Sequence, residues 1–174
     1  MEMIRVKVLV LFFILYGASQ SWGLEENFSL LETGNKAQVN NLAKKIQKRF
    51  PLVPIITPIQ LKKEISKVVL LDVRPKKERV ISIIPGAINL ETFNKNISKY
   101  KNKKIVAYCT IGARSSRVVE KLIKRGHNAF NLKGSLLGWI NYGGKLIKES
   151  GEQTKEVYLL GGRHLIPSDH TPRP

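Results

Sequence analysis

One cysteine stands among the 174 residues, in the stretch Cys109-Thr110-Ile111-Gly112-Ala113-Arg114-Ser115. A free thiol is mostly protonated at neutral pH, and only its thiolate is a strong nucleophile. What precedes and follows Cys109 bears on that. Lys104-Ile105-Val106-Ala107-Tyr108 has the apolar run of a buried strand. From Ser115 to Arg125 the chain reads as a helix, with Val118, Val119, Leu122 and Ile123 on one face. The thiol therefore falls in a short loop between a strand's end and a helix's start. Unpaired backbone N–H groups converge there and favour negative charge. Gly112 lets the backbone turn inward where a side chain would obstruct. Arg114 adds a cation, so the arrangement suits an activated thiolate beside an anion cradle. Cys109 is the candidate nucleophile. Thr110, Ile111, Gly112, Ala113, Arg114 and Ser115 are the candidate loop and substrate-binding residues.

The rest of the chain must position this loop. Lys36 to Phe50 has helical spacing in Val39, Leu42, Ala43, Ile46 and Phe50, with Lys44, Lys45, Lys48 and Arg49 on the other faces. Asn35 is the expected cap, and Pro51 and Pro54 end the helix. Ile55-Ile56 suggests a short strand. Thr57 then caps a helix with Pro58 at its first position, running to Ser66. Val68-Val69-Leu70-Leu71-Asp72-Val73-Arg74 reads as a buried parallel strand whose polar residues emerge at its carboxyl end. Short strands are expected near Ile88 and over 129–132, with short helices over 91–99 and 136–142. Strands alternate with helices, which predicts an α/β fold: a parallel five-stranded sheet with helices on both faces. Sites in such sheets form at the carboxyl ends of strands, where Asp72, Arg74 and Cys109 all fall. Residues 145–174 break the alternation, and Val157 to Leu160 suggests an added edge strand. His164 and His170 lack a third ligand at a convincing spacing, so no metal is expected.

Thirty Lys and Arg against 13 Asp and Glu give a net charge of +17. That attracts anions, from small oxyanions to membrane surfaces. No zinc spacing or aromatic–glycine RNA signature accompanies the charge, so nucleic acid is not the expected partner. The basic face of the first helix reads as solvated. Arg5 and Lys7 precede an unbroken apolar run from Val8 to Tyr16, followed by small residues from Gly17 to Gly23. That is the order of a secretory signal peptide, with cleavage expected after Ser21 or Gly23 and no membrane span left afterwards. The expected compartment is oxidising: periplasmic or extracellular. A lone cysteine kept there is either buried and inert or present for its reactivity.

Four blocks, taken together, resemble the single-domain rhodaneses, the thiosulfate:cyanide sulfurtransferase family. Cys109 to Ser115 resembles their active-site loop, and Leu70 to Arg74 with Glu78 their first signature. Ile84-Pro85-Gly86-Ala87-Ile88-Asn89-Leu90 resembles their Ile-Pro-Gly-Ala turn, and Leu132-Lys133-Gly134 with Trp139 their closing segment. The blocks keep the family's order over about residues 52–142. Ser82-Ile83 replaces a frequent Gly-His, and Ser135 replaces a frequent glycine. Both read as scaffold changes that leave the cysteine loop alone.

The resemblance implies a rhodanese-like domain over 52–144. Ahead of it lie a signal peptide over 1–23 and an extension over 24–51 with a basic amphipathic helix; a second extension follows over 145–174. It implies that Cys109 carries sulfur as a persulfide, taken from a small anionic donor and given to cyanide or a thiol, with no cofactor. Arg114 would then orient the donor or hold the loop by an ion pair. Asp72 and Arg74 would brace the loop, Glu78 would partner Arg74, and Trp139 would belong to the core. A phosphatase of related fold needs Cys-x5-Arg, whereas Arg114 gives Cys-x4-Arg. A non-catalytic sulfur carrier that docks a protein partner through the two extensions is the alternative of a different class.

Overall fold

The computed structural model describes residues 34–174; the expected signal segment and the start of the N-terminal extension lie outside them. In chain order the main helices are α1 (Asn35–Arg49), α2 (Pro58–Glu64), α3 (Lys76–Arg79), α4 (Leu90–Lys95), α5 (Ala113–Lys124) and α6 (Ser135–Asn141). The strands are β1 (Ile55–Ile56), β2 (Val69–Asp72), β3 (Ile88–Asn89), β4 (Ile105–Tyr108), β5 (Ala129–Leu132), β6 (Leu146–Ile147), β7 (Gln153–Thr154), β8 (Glu156–Tyr158) and β9 (Thr171–Arg173).

The first five strands form one sheet in the order β1-β5-β4-β2-β3, every pair parallel. In register, Asp72 lies beside Tyr108 and Asn89. The carboxyl ends of the central strands therefore finish side by side, and Cys109 follows at once. Side chains alternate across the sheet with period two. Leu70, Val106, Tyr108 and Leu132 face one layer, packed with Val39 of α1, Leu61 of α2 and Leu136, Leu137, Trp139 and Ile140 of α6. Leu71, Ile105, Ala107 and Cys109 face the other, with Phe93 of α4 and Val119 and Leu122 of α5. Helices thus cover both faces, as the alternation predicts.

Local chemistry sets the helix starts. Thr57 Oγ1 accepts the Gln60 N–H at 3.2 Å while Gln60 Oε1 accepts the Thr57 N–H at 2.9 Å, with Pro58 in the first turn. This reciprocal cap satisfies two donors that the helix leaves open. Replacing Thr57 by alanine is expected to lower stability by about 1 kcal/mol, read as a lower urea midpoint at unchanged slope.

α1 begins differently from expectation. Gly34, at φ 76°, is the capping residue, and Asn35 lies inside the helix, where its side-chain amide donates to the Ile166 carbonyl. The segment after Pro75 forms a turn of helix, α3, that the apolar pattern did not signal. The helix expected over 91–99 breaks into α4 and a tighter turn over Ile97–Tyr100.

The segment from residue 145 onward packs rather than trails. Ile83 and Ile147 exchange both backbone hydrogen bonds, at 2.8 and 3.0 Å. Leu146, Val157 and Ile166 are buried in the α1–α6 layer. The edge strand expected over 157–160 is corrected: β8 pairs with β9 in a separate two-stranded parallel sheet and adds nothing to the main one. Among the described residues, no helix is long and apolar enough to cross a membrane.

Candidate active site

Cys109 leaves the end of β4 and is fastened at once to the first turn of α6. Its N–H donates to Ser135 Oγ at 3.1 Å, and its carbonyl accepts the Leu136 N–H at 3.1 Å. The Thr110 carbonyl accepts the Leu137 N–H at 3.1 Å. Gly112 then turns the chain into α5 at φ 123°, a conformation that L side chains rarely adopt. A Cβ there would stand 3.3 Å from Asn131 Nδ2 and 3.6 Å from Ser135 Oγ. The turn thus needs glycine for its backbone, and an added Cβ would also crowd the Asn131 amide. α5 starts at Ala113, two residues earlier than the sequence suggests, which shortens the loop to Cys109–Gly112.

The short loop curls its donors around the sulfur. Gly112 N–H donates to Cys109 Sγ at 3.1 Å, and Ser115 Oγ–H donates to it at 3.5 Å. Cys109 is 1% exposed, and that burial is the largest influence on its thiol, pushing its pKa up. Hydrogen bonds from the Ser115 side chain and backbone and from the Gly112 and Ile111 N–H groups act the other way and prevail. The thiol pKa is held below that of a free cysteine, so the reactive thiolate is the better populated for it. Replacing Ser115 by alanine is expected to move the thiolate titration to higher pH and to slow alkylation of Cys109 several-fold at neutral pH. Ultraviolet titration of the thiolate checks the first and a pH series of alkylation rates the second.

Other residues of the sequence-derived set are placed as follows. Thr110 Oγ1 turns away from the sulfur, donating to Glu78 Oε2 at 2.9 Å and accepting from Arg114 at 2.9 Å. Ile111 is half-buried against the α1–α6 layer. Ala113 opens α5. Arg114 makes a two-pronged pair with Glu78, Nη1 to Oε1 at 2.6 Å and Nη2 to Oε2 at 2.8 Å. The Glu78 side chain is buried and that of Arg114 is 41% exposed. Burial pushes the Glu78 carboxyl up, but the bonds from Arg114 and Thr110 outweigh it and hold the group low. Glu78 raises the Arg114 pKa in return.

This corrects the expected pairing of Glu78 with Arg74. The residues are four apart, but Pro75 and the α3 turn swing Glu78 across to α5. The partner of Arg74 is Asp72. Its carboxylate accepts from Arg74 Nε at 3.0 Å, from Nη2 at 2.7 Å and from the Arg74 backbone N–H at 2.9 Å. Arg74 Nη2 also donates to the Ser82 carbonyl at 2.6 Å. Asp72 and Arg74 brace the neighbouring strand end and the turn before Ile84; they do not touch the sulfur.

Sequence reasoning missed three side chains at the site. Ser135, read as a scaffold change away from the loop, accepts the Cys109 N–H and lies 3.3 Å from Ser115 Oγ. It does so at φ 51°, which is the kind of position a frequent glycine implies. Asn131 Nδ2 donates to Ser116 Oγ at 3.0 Å and to the Gly112 carbonyl at 3.4 Å, supporting the loop from behind. Ser116 Oγ donates to the same Gly112 carbonyl at 2.8 Å. The available signal was polarity out of place: Asn131 interrupts an apolar strand, and two adjacent serines open a helix.

Similarity to known proteins falls on this same region of the chain. The Rhodanese-like domain family matches residues 57–142. The chain is 27% identical over 159 residues to the tRNA uridine(34) hydroxylase of Acinetobacter baylyi, covering 84% of this chain but only 50% of that protein. It thus spans about half the length of that relative. To a sulfurtransferase of Allochromatium vinosum it is 30% identical over 88 residues, covering 48% of this chain and 82% of the relative. Among solved structures, the rhodanese-related protein of Thermoplasma volcanium superposes with a TM-score of 0.50 at 27% identity, over 55% of this chain and 99% of that one. With the five-stranded parallel sheet and the Cys109 loop in place, these matches make the chain a member of the rhodanese-like family.

Proposed function

We propose that the protein is a sulfurtransferase that moves sulfane sulfur from thiosulfate or a persulfide to cyanide or a thiol, with Cys109 as carrier. The observation that supports this best is the setting of Cys109 Sγ, which accepts from the Gly112 N–H at 3.1 Å and from Ser115 Oγ at 3.5 Å. Those donors favour the thiolate that attacks the donor sulfur. The donor's S–S bond breaks as the new one forms on Cys109, and sulfite or a thiolate leaves. Cyanide or a thiol then attacks the terminal sulfur and regenerates the Cys109 thiolate. The loop N–H groups that hold the thiolate would hold the persulfide anion in the same way. Spacing supports sulfur over phosphate, since Cys109 and Arg114 give Cys-x4-Arg where a phosphatase loop needs Cys-x5-Arg.

A carrier that hands its sulfur to a protein partner is the second reading, supported by the segments on either side of the family match over 57–142, where a partner could dock. Thiocyanate formation from a sulfane donor and cyanide separates the two: sustained turnover supports the enzyme, and stoichiometric loading without turnover supports the carrier. We also propose that residues 1–23 direct export to the periplasm or exterior, from the basic start, the apolar run over 8–16 and the small residues after it. Comparing the mass of the protein recovered outside the cytoplasm with that of the full chain tests this.

A further inference from the structure

The serine at 135 stands where the backbone favours glycine. It is the one non-glycine residue at positive φ among the described residues, at 51°. A side chain in that region carries strain that glycine avoids. The residue is also fully buried. What its side chain gains is contact with the Cys109 loop. Ser135 Oγ accepts the Cys109 N–H at 3.1 Å and lies 3.3 Å from Ser115 Oγ, which in turn lies 3.5 Å from Cys109 Sγ. These contacts close a ring of hydrogen bonds that leaves Cys109 at its backbone and returns at its sulfur.

Counting protons gives the ring a direction. Each hydroxyl has one proton to donate. The Ser135 oxygen already accepts from Cys109, and the acceptor within reach of its own proton among the described residues is Ser115 Oγ. Donation the other way would strand the Ser135 proton in a fully buried place, at a cost in stability. Ser115 then has two acceptors open to it, the sulfur and the Gly112 carbonyl at 3.2 Å. That carbonyl is taken. It accepts the Ser116 N–H at 3.0 Å, the Ser116 hydroxyl at 2.8 Å and the Asn131 amide at 3.4 Å. Three donors already share its two lone pairs. The Ser115 proton is left for the sulfur, where a thiolate is the stronger acceptor.

We infer that Ser135 is a positioning residue for the Cys109 thiolate: its hydroxyl, held by the Cys109 N–H, donates to Ser115 Oγ and so directs the Ser115 hydroxyl onto the sulfur. What the thiolate then does rests on the sulfur-transfer reading. Ser135 makes and breaks no bond to sulfur and acts only through Ser115. Arg114 acts on Cys109 by charge and by hydrogen bond, with Glu78 bound to it. Asp72 and Arg74 pair with each other at the end of β2. A substitution at 135 leaves these four charged groups unchanged, so its effect on the thiol reads the hydroxyl.

The test is the pH profile of Cys109 alkylation by iodoacetamide in the full chain, with sulfur loading from thiosulfate followed by mass beside it. Ser135→Gly suits the backbone and removes the hydroxyl. Ser135→Ala removes the hydroxyl and keeps the Cβ, so the result does not hang on one variant folding. Both are expected to move the alkylation midpoint to higher pH and to slow alkylation and loading about threefold or more at neutral pH. In a Ser115→Ala background, either change is expected to move the midpoint no further, because the hydroxyl that Ser135 directs is gone. If Ser135 only fills space, the variants shift the urea midpoint and leave the pH profile where it was, which overturns the inference. A shift of full size in the Ser115→Ala background overturns it too. Alkylation needs no sulfur donor, so a shifted profile in a chain that loads no sulfur supports the positioning role and overturns sulfur transfer instead.

Discussion

Cys109→Ser is expected to reduce sulfur transfer by more than about a thousandfold, to the level of the uncatalysed exchange. A serine hydroxyl at that position is not ionised near neutral pH and forms no persulfide, so the covalent route closes. The fold should survive the change. A hydroxyl is close to a thiol in size and can accept the Gly112 N–H that the sulfur accepts at 3.1 Å, so no donor is stranded. The expected pattern is therefore lost turnover at nearly unchanged stability. Thiocyanate production measured beside a urea melt of the same sample checks both halves. Residual turnover of a tenth or more of wild type would place the chemistry elsewhere.

The largest expected effect on stability lies one strand away. Asp72 and Arg74 have side chains 1% and 0% exposed, and the Asp72 carboxylate takes the Arg74 guanidinium at 2.7 Å. Burial lowers the Arg74 pKa most, yet the Asp72 bond and charge outweigh it and hold the guanidinium protonated. Asp72→Ala leaves that cation buried without its counter-ion. The expected loss is about 3–5 kcal/mol, because the stranded charge retains its desolvation penalty without the compensating attraction. Removing both members should cost less: Asp72→Leu/Arg74→Met exchanges the pair for apolar volume and leaves no stranded charge. Urea midpoints for the two variants check the order. A double variant less stable than Asp72→Ala would show that the pair contributes net stability of its own. The consequence for function is indirect. Arg74 also ties the Ser82 carbonyl at 2.6 Å, so losing the pair loosens the turn leading to Ile84, whose N–H donates to Tyr108 Oη at 3.1 Å, on the residue before Cys109 in β4.

The central layer of this structure was legible because parallel strands buried on both faces leave a distinctive trace. Leu70-Leu71 ends in Asp72 and Ile105 to Tyr108 ends in Cys109, and in both the apolar run stops where the sheet's functional edge begins. Thr57-Pro58 announced α2 because a cap and its helix are neighbours in sequence. What stayed hidden depends on residues far apart. Asn35 looks like a cap and is instead spent on the Ile166 carbonyl, 131 positions away. Glu78 looks like the partner of Arg74 at a helical separation, but that rule holds only inside one helix, and a proline and a turn lie between them. Ser135 carried a readable sign, a residue where glycine is frequent, but only the fold brings it 3.1 Å from the Cys109 N–H. β8 was read as a strand, but its partner β9 contains Pro172 and ends in a run poor in apolar residues, which no local pattern marks.

These hidden contacts decide the chemistry more than the visible ones. The cysteine and its glycine are enough to propose a thiolate. The clamp on Arg114, the Ser115 hydroxyl and the Ser135 anchor hold the loop and place donors around the Cys109 sulfur.

Sulfur carriage by Cys109 is read directly in the mass of the Cys109 peptide after the full chain meets a sulfane donor. The expected result is a gain of one sulfur atom on that peptide, removed by cyanide with the appearance of thiocyanate and absent in Cys109→Ser. An unchanged mass with both thiosulfate and a thiol persulfide, or a sulfur gain that persists in Cys109→Ser, would contradict it.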